Sequence, residues 1–291
     1  MKKPRPLFLT LMLMLTLAFP AGASYTVQPD YPDNQRPDRQ GHFNLHVKPG
    51  HAQTLEVEIE NKGTHAIVVE VTANAAVSNE NGVMEYAPNV QSDQQGNELL
   101  PDFSQIVRPQ MPLIPIEPGM RETAVFDLIM PDESFAGSIV GGLHFVESLD
   151  MRLEQMQSED NATGATGIIN RMAYVIAVVL REDAEIMPPA FALSKANLDD
   201  AYSDALRVTL KNQSARISSL NNFTVQLYDK PGESFPLETL FLPNVQLAPY
   251  AEPSLRLWRD SREPIAPGTY QVMVSFDCEG SLYIFETPLI V

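Results

Sequence analysis

Leu55-Glu56-Val57-Glu58-Ile59-Glu60 alternates an aliphatic residue with a glutamate at every step. A strict period of two places successive side chains on opposite faces of a β-strand, whereas an amphipathic helix repeats its apolar residues three and four positions apart. One face of this segment is aliphatic and the other is acidic. The segment therefore predicts a strand with one face on a core and the other in water.

The same period recurs along most of the chain, with turns rich in Pro, Gly and Asn between the alternating segments. Apolar residues hold every second position in 43–47, 67–71, 124–130, 206–210, 223–227 and 270–278. Asn81-Gly82 predicts a hairpin turn, because both residues tolerate positive φ. The pair Gly141-Gly142 inside a strand indicates a bulge or a close approach of another part of the backbone. The pattern predicts an all-β protein.

The strands group into two tandem immunoglobulin-like β-sandwich domains, which we predict to occupy residues 24–186 and 187–291. Residues 148–170 break the alternation and are interpreted as a long exposed hairpin loop, after which an apolar strand completes the first sandwich. The linker is predicted at Met187-Pro188-Pro189. In the second domain, Pro267-Gly268-Thr269-Tyr270 places a tyrosine at the start of the penultimate strand, as in a tyrosine corner.

The N-terminal segment has the layout of a secretory signal peptide. Lys2, Lys3 and Arg5 precede an almost wholly apolar run at 7–19, and the small residues Ala21 and Ala23 form a cleavage site before Ser24. The run is shorter than the roughly 20 residues of a spanning helix. We therefore predict that residues 1–23 are a signal peptide and that the protein is secreted.

The charge balance limits the partners. The 291 residues include 20 Lys and Arg against 37 Asp and Glu, a net charge of −17, and loss of the leader takes this to −20. Nucleic acid is not an expected partner, because phosphate binding needs a basic face. Bacterial walls and membrane surfaces are usually anionic as well, so binding to them has to be short-range. The single cysteine permits no internal disulfide, so the fold depends on core packing.

No motif in the sequence predicts catalysis. The nucleophile elbow, the Gly-rich phosphate loop and the HExxH metal motif are all missing. A pair of glycosidase carboxylates could hide among so many acids, but no aromatic-rich cleft accompanies one. His42 and His46 share one face of a strand, which is more often an exposed polar face than a metal site. We predict no catalytic residues, no metal site and no cofactor.

Many short segments follow one another in a characteristic order. In the first half they are 25–29, 32–35, 43–50, 53–57, 74–76, 78–82, Tyr86, 130–131 and 135–142, and looser ones in the second half are 174–182, 206–212 and 267–270. In their order and spacing they resemble the WxL-interacting proteins of Gram-positive bacteria, over nearly all of 25–291.

The resemblance implies a non-enzymatic protein of the cell wall or cell surface. Its first domain is expected to bind peptidoglycan, and its second to bind a WxL-domain cell-wall protein or a host extracellular-matrix protein. The family's own domain boundary is expected near residue 150, earlier than the strand pattern places it. Family members usually continue into a membrane-spanning helix, whereas this sequence stops at Val291 without a transmembrane anchor. The sequence is therefore either truncated or that of a member held by the wall or a partner.

Polar and aromatic residues near turns within the matched segments are the candidates for glycan contact: Asn34, Gln35, Asn74, Asn81 and Tyr86. Amides hydrogen-bond to sugar hydroxyls, and aromatic faces stack on sugar rings. The alternative is that Asn81 serves only the hairpin and Tyr86 only the core. Two other functions stay open, a fimbrial-chaperone-like protein that acts by strand addition and a cell-wall hydrolase. An exposed apolar edge strand in a cleft between the domains would favour the first of them.

Overall fold

The computed structural model describes residues 24–37, 40–88, 100–149, 171–182, 187–202, 204–261 and 263–291. The predicted leader and most of the predicted hairpin loop lie outside these residues. Within them the regular structure is β-strand apart from one four-residue helix, α1 (Phe103–Ile106), which confirms the all-β prediction. No helix in the described ranges has the length and apolar character that crossing a membrane requires.

The first sandwich is built from strands between Tyr25 and Arg181. They are β1 (Tyr25–Asp30), β2 (Phe43–His46), β3 (Ala52–Asn61), β4 (Ile67–Ala75), β5 (Val77–Ser78), β6 (Met84–Glu85), β7 (Val107–Pro109), β8 (Leu113–Ile116), β9 (Arg121–Ile129), β10 (Ile139–Glu147) and β11 (Ala173–Arg181). One sheet has the order β1-β3-β9-β7 and the other β2-β11-β10-β4-β8, and β5 and β6 pair separately as a small hairpin. Strand β2 runs parallel to β11, and the other pairs in these sheets are antiparallel.

The alternating segment forms β3 and behaves as predicted. Leu55, Val57 and Ile59 are fully buried, whereas Glu56 on the opposite face is exposed. The buried residues join a core that both sheets share, in which the rings of Phe126 and Phe145 meet edge to face with centroids 6.0 Å apart. Burial of this apolar surface between the two layers is the main stabilising contribution to the sandwich.

At the paired glycines of β10 the strand register is unbroken, and two side chains, rather than a second backbone segment, approach closely. An added Cβ on Gly141 would lie 2.1 Å from Cδ1 of Phe103 on the core side, and one on Gly142 would lie 2.7 Å from Cβ of Tyr86 on the other side. Separations this short leave no room for a side chain on either face. The two glycines let α1 and Tyr86 pack directly against the backbone of β10.

The second sandwich follows between Phe191 and Ile290. Its strands are β12 (Phe191–Leu198), β13 (Ala205–Asn212), β14 (Ser218–Tyr228), β15 (Glu238–Leu247), β16 (Ser254–Trp258), β17 (Thr269–Cys278) and β18 (Ser281–Ile290). The sheets have the orders β12-β13-β16 and β15-β14-β17-β18. Stacked Phe223 and Phe276, with ring centroids 5.7 Å apart, lie in its core. The hydroxyl of Tyr270 donates to the carbonyl of Ala266 at 2.9 Å, as the predicted tyrosine corner requires.

The two sandwiches meet through the β5–β6 hairpin, whose residues 78–82 we call the clasp. β15 and β16 are edge strands, and the clasp accepts hydrogen bonds from the chain at or just after them. The three bonds are Arg256 N–H to Glu80 O at 2.7 Å, Gln246 N–H to Gly82 O at 2.7 Å and Ala248 N–H to Ser78 Oγ at 2.9 Å.

A small apolar cluster accompanies the clasp. It combines Ala76, Val140 and Val179 of the first sandwich with Ala248 and Ala251 of the second. Close to it, the N–H of Ser138 donates to the carbonyl of Ala215 at 2.7 Å. The sandwiches therefore pack directly against each other, through both apolar contacts and backbone hydrogen bonds.

Candidate functional site

Asn34 and Gln35 hold the backbone of β2. The amide of Asn34 donates to the carbonyl of His46 at 2.9 Å, and Gln35 both accepts from Asn44 N–H at 2.9 Å and donates to the carbonyl of His42 at 3.1 Å. These bonds reinforce the short antiparallel pairing of residues 34–36 with the edge of β2, where Arg36 N–H donates to Asn44 O at 2.9 Å and His46 N–H donates to Asn34 O at 3.1 Å. Both amides therefore stabilise the fold at the β2 edge of the sheet, and two strands separate β2 from β4, which carries Asn74.

Asn81 lies at the clasp. The side chain of Asn79 accepts from the N–H groups of Asn81 and Val83, at 2.9 Å and 3.0 Å, which closes the turn. Of the predicted Asn81-Gly82 pair only Gly82 takes positive φ, at +73°, because the side chain of Asn79 shapes the rest of the turn. Asn81 itself is exposed at the junction between the sandwiches.

Asn74 and Tyr86 lie together on the face of the β2-β11-β10-β4-β8 sheet that points away from the core. The amide of Asn74 donates to the carbonyl of Tyr86 and to Oγ1 of Thr72, both at 2.9 Å. Asn74 is also paired in register with Gly142, on which Tyr86 packs. The structure therefore brings together two of the five candidates.

His144 extends this cluster by one step along β10. It is paired with Thr72 on one side and with Val175 on the other, so all three side chains share a face with Asn74. Val175 is 44% exposed, and the other residues are partly exposed. We call Thr72, Asn74, Tyr86, His144 and Val175 the outer face. It combines an aromatic ring, an amide, a hydroxyl, an imidazole and an exposed aliphatic group.

The imidazole of His144 is the group that sequence reasoning did not select. Burial, followed by the charge of Arg171, lowers its pKa, and Glu70 opposes this shift, so the ring is neutral at pH 7. In the described part of the chain its buried Nδ1 makes no hydrogen bond. Because this nitrogen is buried, a ligand on the outer face can meet only the exposed edge of the ring. Period-two spacing from Gly142 was the signal that could have placed it on this face.

Burial raises the pKa of Tyr86, so its hydroxyl stays protonated at neutral pH and can act as a hydrogen-bond donor.

Beside the outer face, Arg171 lies 3.7 Å from the carboxylate of Glu70 and donates from Nε to the carbonyl of Glu147 at 2.8 Å. This border is charged but internally paired. The five residues of the outer face carry no formal charge, and the Arg171–Glu70 pair beside them carries no net charge.

A second polar surface lies on the other sheet. A depression of about 370 Å³ is lined by Gln28, Pro29, Asp30, Glu56, Glu58, Arg121 and Thr123. Arg121 is already paired with Glu58 at 3.0 Å and with Glu60 at 3.3 Å, which leaves a surplus of carboxylates. This surface suits an anionic wall polymer less well than the uncharged outer face does.

A charged cluster lies at the junction of the sandwiches. The buried carboxylate of Asp199 accepts from Nε of Arg207 at 2.6 Å and from Nε of Arg256 at 2.8 Å. Both guanidinium groups also bind Glu80 of the clasp, Arg207 at 2.9 Å. The cluster therefore ties the clasp to β13 and β16 by charge-assisted hydrogen bonds. In the described ranges, this cluster included, no group of three or more His, Cys, Asp or Glu residues is arranged to hold a metal ion.

The fold defines a tandem β-sandwich protein, and protein-family comparisons match both halves. Residues 25–147 match the peptidoglycan binding domain of the WxL Interacting Protein, and residues 163–288 match its host binding domain. The chain belongs to the WxL-interacting protein family, as the sequence resemblance predicted. Both matched models describe binding domains. A comparison with curated proteins finds no match.

Several solved structures are similar in fold, and the three described here each contain a chaperone. The CsuC–CsuE chaperone–tip adhesion subunit complex of Acinetobacter baumannii shares 10% identity over 91% of this chain and 98% of that one, with a TM-score of 0.41. The YadV chaperone shares 12% over 92% and 100%, with a TM-score of 0.36. The E. coli chaperone DraB shares 11% over 85% and 95%, with a TM-score of 0.34. Scores this low carry no argument about function.

Proposed function

We propose that this chain is a non-enzymatic binding protein of the Gram-positive cell surface that holds peptidoglycan through the outer face. The observation that carries the proposal is the gathering of Asn74, Tyr86 and His144 on one uncharged face of the domain matched by the peptidoglycan-binding model. The second domain, matched by the host-binding model, then engages a WxL-domain cell-wall protein or a host ligand.

The outer face offers the contacts that a glycan needs. The hydroxyl of Thr72, the side-chain oxygen of Asn74 and the imidazole of His144 supply hydrogen-bonding groups, and Tyr86 and Val175 supply apolar surface. The two N–H groups of Asn74 are already donated to Thr72 and Tyr86, which fixes the orientation of the amide. A rigid sheet holds these groups in place, so little conformational entropy is lost when a ligand binds. The absence of formal charge on this face fits an anionic wall, which the rest of the chain repels.

The test is co-sedimentation of the mature protein with purified insoluble peptidoglycan. Val175→Glu places an unpaired carboxylate at an exposed strand position, and we expect it to lower the affinity by about fivefold or more. His144→Ala is expected to weaken binding in the same direction. Both changes leave the core untouched, so the melting temperature should stay close to that of the unmodified protein.

The matched control is Ile129→Glu, because Ile129 is a β-branched residue that is 60% exposed on a strand of the opposite sheet. It should sediment with peptidoglycan as the unmodified protein does. Equal binding by all three variants would place the wall contact elsewhere. Equal loss in Val175→Glu and Ile129→Glu would show that added charge, rather than the outer face, controls binding.

A further inference from the structure

Two exposed aromatic side chains lie beside an arginine on the second sandwich. Tyr202 is 45% exposed and Trp258 is 53% exposed, and their rings meet edge to face with centroids 5.1 Å apart. The guanidinium carbon of Arg256 lies 4.9 Å from the centroid of Tyr202 and 5.7 Å from that of Trp258. Two neighbouring aromatic rings with exposed surface can offer their faces to a ligand.

The arginine between the rings is fixed from behind. Arg256 binds the buried carboxylate of Asp199 through Nε at 2.8 Å, and a second nitrogen binds Glu80 of the clasp. A guanidinium held at two points keeps both rings in place by cation–π attraction. The cluster is therefore organised before any ligand arrives, which reduces the entropy lost on binding.

The surroundings of the rings are polar and charged. Arg207 is the register partner of Arg256 and also binds Glu80, and Asp200 is exposed in the connection beside Tyr202. A stable protein–protein interface needs roughly 800 Å² a side with an apolar centre. Two rings within a charged rim offer far less apolar area than that. A sugar ring needs only one or two aromatic faces together with hydrogen-bonding groups at its rim.

We infer that Tyr202, Arg256 and Trp258 form a carbohydrate-binding platform that takes a pyranose ring of a neutral glycan. The apolar C–H face of the sugar lies on the exposed aromatic surface, and its hydroxyls meet Arg256 and Glu80 at the rim. The platform belongs to the second sandwich and to the junction, so it is separate from the outer face. The test of this platform is therefore independent of the test of the proposed peptidoglycan contact.

Trp258 is the single tryptophan of the sequence, so intrinsic tryptophan fluorescence reports directly on the platform. The full mature protein is titrated with chitotetraose in one arm and with N-acetyllactosamine in the other, while tryptophan emission is recorded. We expect a saturable change in emission in at least one arm. A response to chitotetraose alone assigns the platform to N-acetylglucosamine glycans such as those of the wall, and a response to N-acetyllactosamine alone assigns it to glycans of the host type.

Tyr202→Ala removes one face of the platform and should weaken the saccharide by about three- to tenfold. Phe241→Ala is the matched control, since Phe241 is 55% exposed but lies on β15 of the other sheet, and its affinity should not change. Calorimetry with Trp258→Ala, whose folding is checked by circular dichroism, should show binding lost. The inference is wrong if neither saccharide changes the emission, or if Tyr202→Ala binds as tightly as the Phe241→Ala control.

Discussion

Single polar residues in this protein are often structural where their chemistry suggests a surface role. Asn61 and Asn212 are fully buried, and each caps the turn that follows its strand. Asn61 donates to the carbonyls of His65 and Ile116, at 2.8 Å and 2.9 Å, and Asn212 makes the same kind of contacts one sandwich later. Composition places asparagine on the surface, so only the fold could reveal these buried caps.

Gln35 is another polar residue whose structural role could not be predicted from its residue type. Its residue type and its place near a turn made it a candidate for glycan contact, but its amide serves the backbone of β2. Asn74 and Tyr86 could be named from the sequence, whereas their partnership with His144 could not. About 70 residues separate Asn74 from His144, and only the register of β4 against β10 brings them together. Their role in binding stays a prediction.

The first prediction concerns Asp199 and acid. Burial would raise its pKa, but hydrogen bonds from Arg256, the N–H of Ala201 and Arg207 outweigh burial and lower the pKa to about 2, below the unperturbed value of 3.8. The carboxylate therefore stabilises the folded state fully above about pH 4, and this contribution is lost as pH falls from 3.8 towards 2.

Asp199→Asn should lower the free energy of unfolding at pH 7 and should lose less stability than the unmodified protein on acidification through that range. Urea unfolding at a series of pH values measures both effects. Asp200→Asn, at the exposed neighbouring position, is the control and should behave like the unmodified protein. If both variants show the same pH profile, Asp199 does not contribute to acid sensitivity.

At the scale of elements, local patterns predicted the strands well, because alternation, glycine pairs and turn residues act over a few neighbours. The tyrosine corner and the close packing on Gly141 and Gly142 were both readable in this way. The parallel pairing of β2 with β11 could not be predicted from local patterns, since Phe43 and its register partner Val178 are far apart in the sequence. The docking of the β5–β6 hairpin on the second sandwich could not be predicted either, because a hairpin pattern does not indicate which surface the hairpin packs against.

The second prediction tests the clasp with two glycines of the same conformation. Gly82 has φ +73° and would place a Cβ 2.8 Å from Val245 of the second sandwich, whereas Gly119 has φ +72° with nothing within 4 Å. An alanine is strained at either position. Only Gly82→Ala also pushes the clasp away from β15, so it should be the more destabilising of the two.

Thermal unfolding measures the loss of stability that each substitution causes, and small-angle scattering measures whether the sandwiches separate. Gly82→Ala should lower the melting temperature more than Gly119→Ala and should increase the radius of gyration. Equal melting temperatures and unchanged scattering for the pair would mean that the clasp does not hold the two sandwiches together.

At the scale of the whole molecule, the charge sets how the protein can reach a wall. The full sequence carries −17, and the chain without its predicted leader carries −20. Repulsion between such a chain and an anionic wall acts over a Debye length and weakens as salt is added. Attraction at the outer face depends instead on hydrogen bonds and apolar contact.

The third prediction follows from this balance. Raising the salt concentration from about 50 mM to about 500 mM should leave co-sedimentation with peptidoglycan unchanged or increase it. A basic carbohydrate-binding protein assayed alongside serves as the control, since salt should release it. A steep loss of binding in salt would contradict the short-range mechanism and would point to a local basic patch as the contact.

The clasp also affects how copies of the protein behave when they crowd together. Open strand edges present unpaired N–H and C=O groups, and neighbouring molecules can join through them into aggregates. At the edges of β15 and β16, the N–H groups of Gln246 and Arg256 already donate to the carbonyls of Gly82 and Glu80. A foreign strand cannot bind there unless the hairpin first leaves. The contact that fixes the two sandwiches to each other thus also covers parts of two strand edges and reduces aggregation. A molecule whose clasp has been released would expose these edges and could associate with other copies edge to edge.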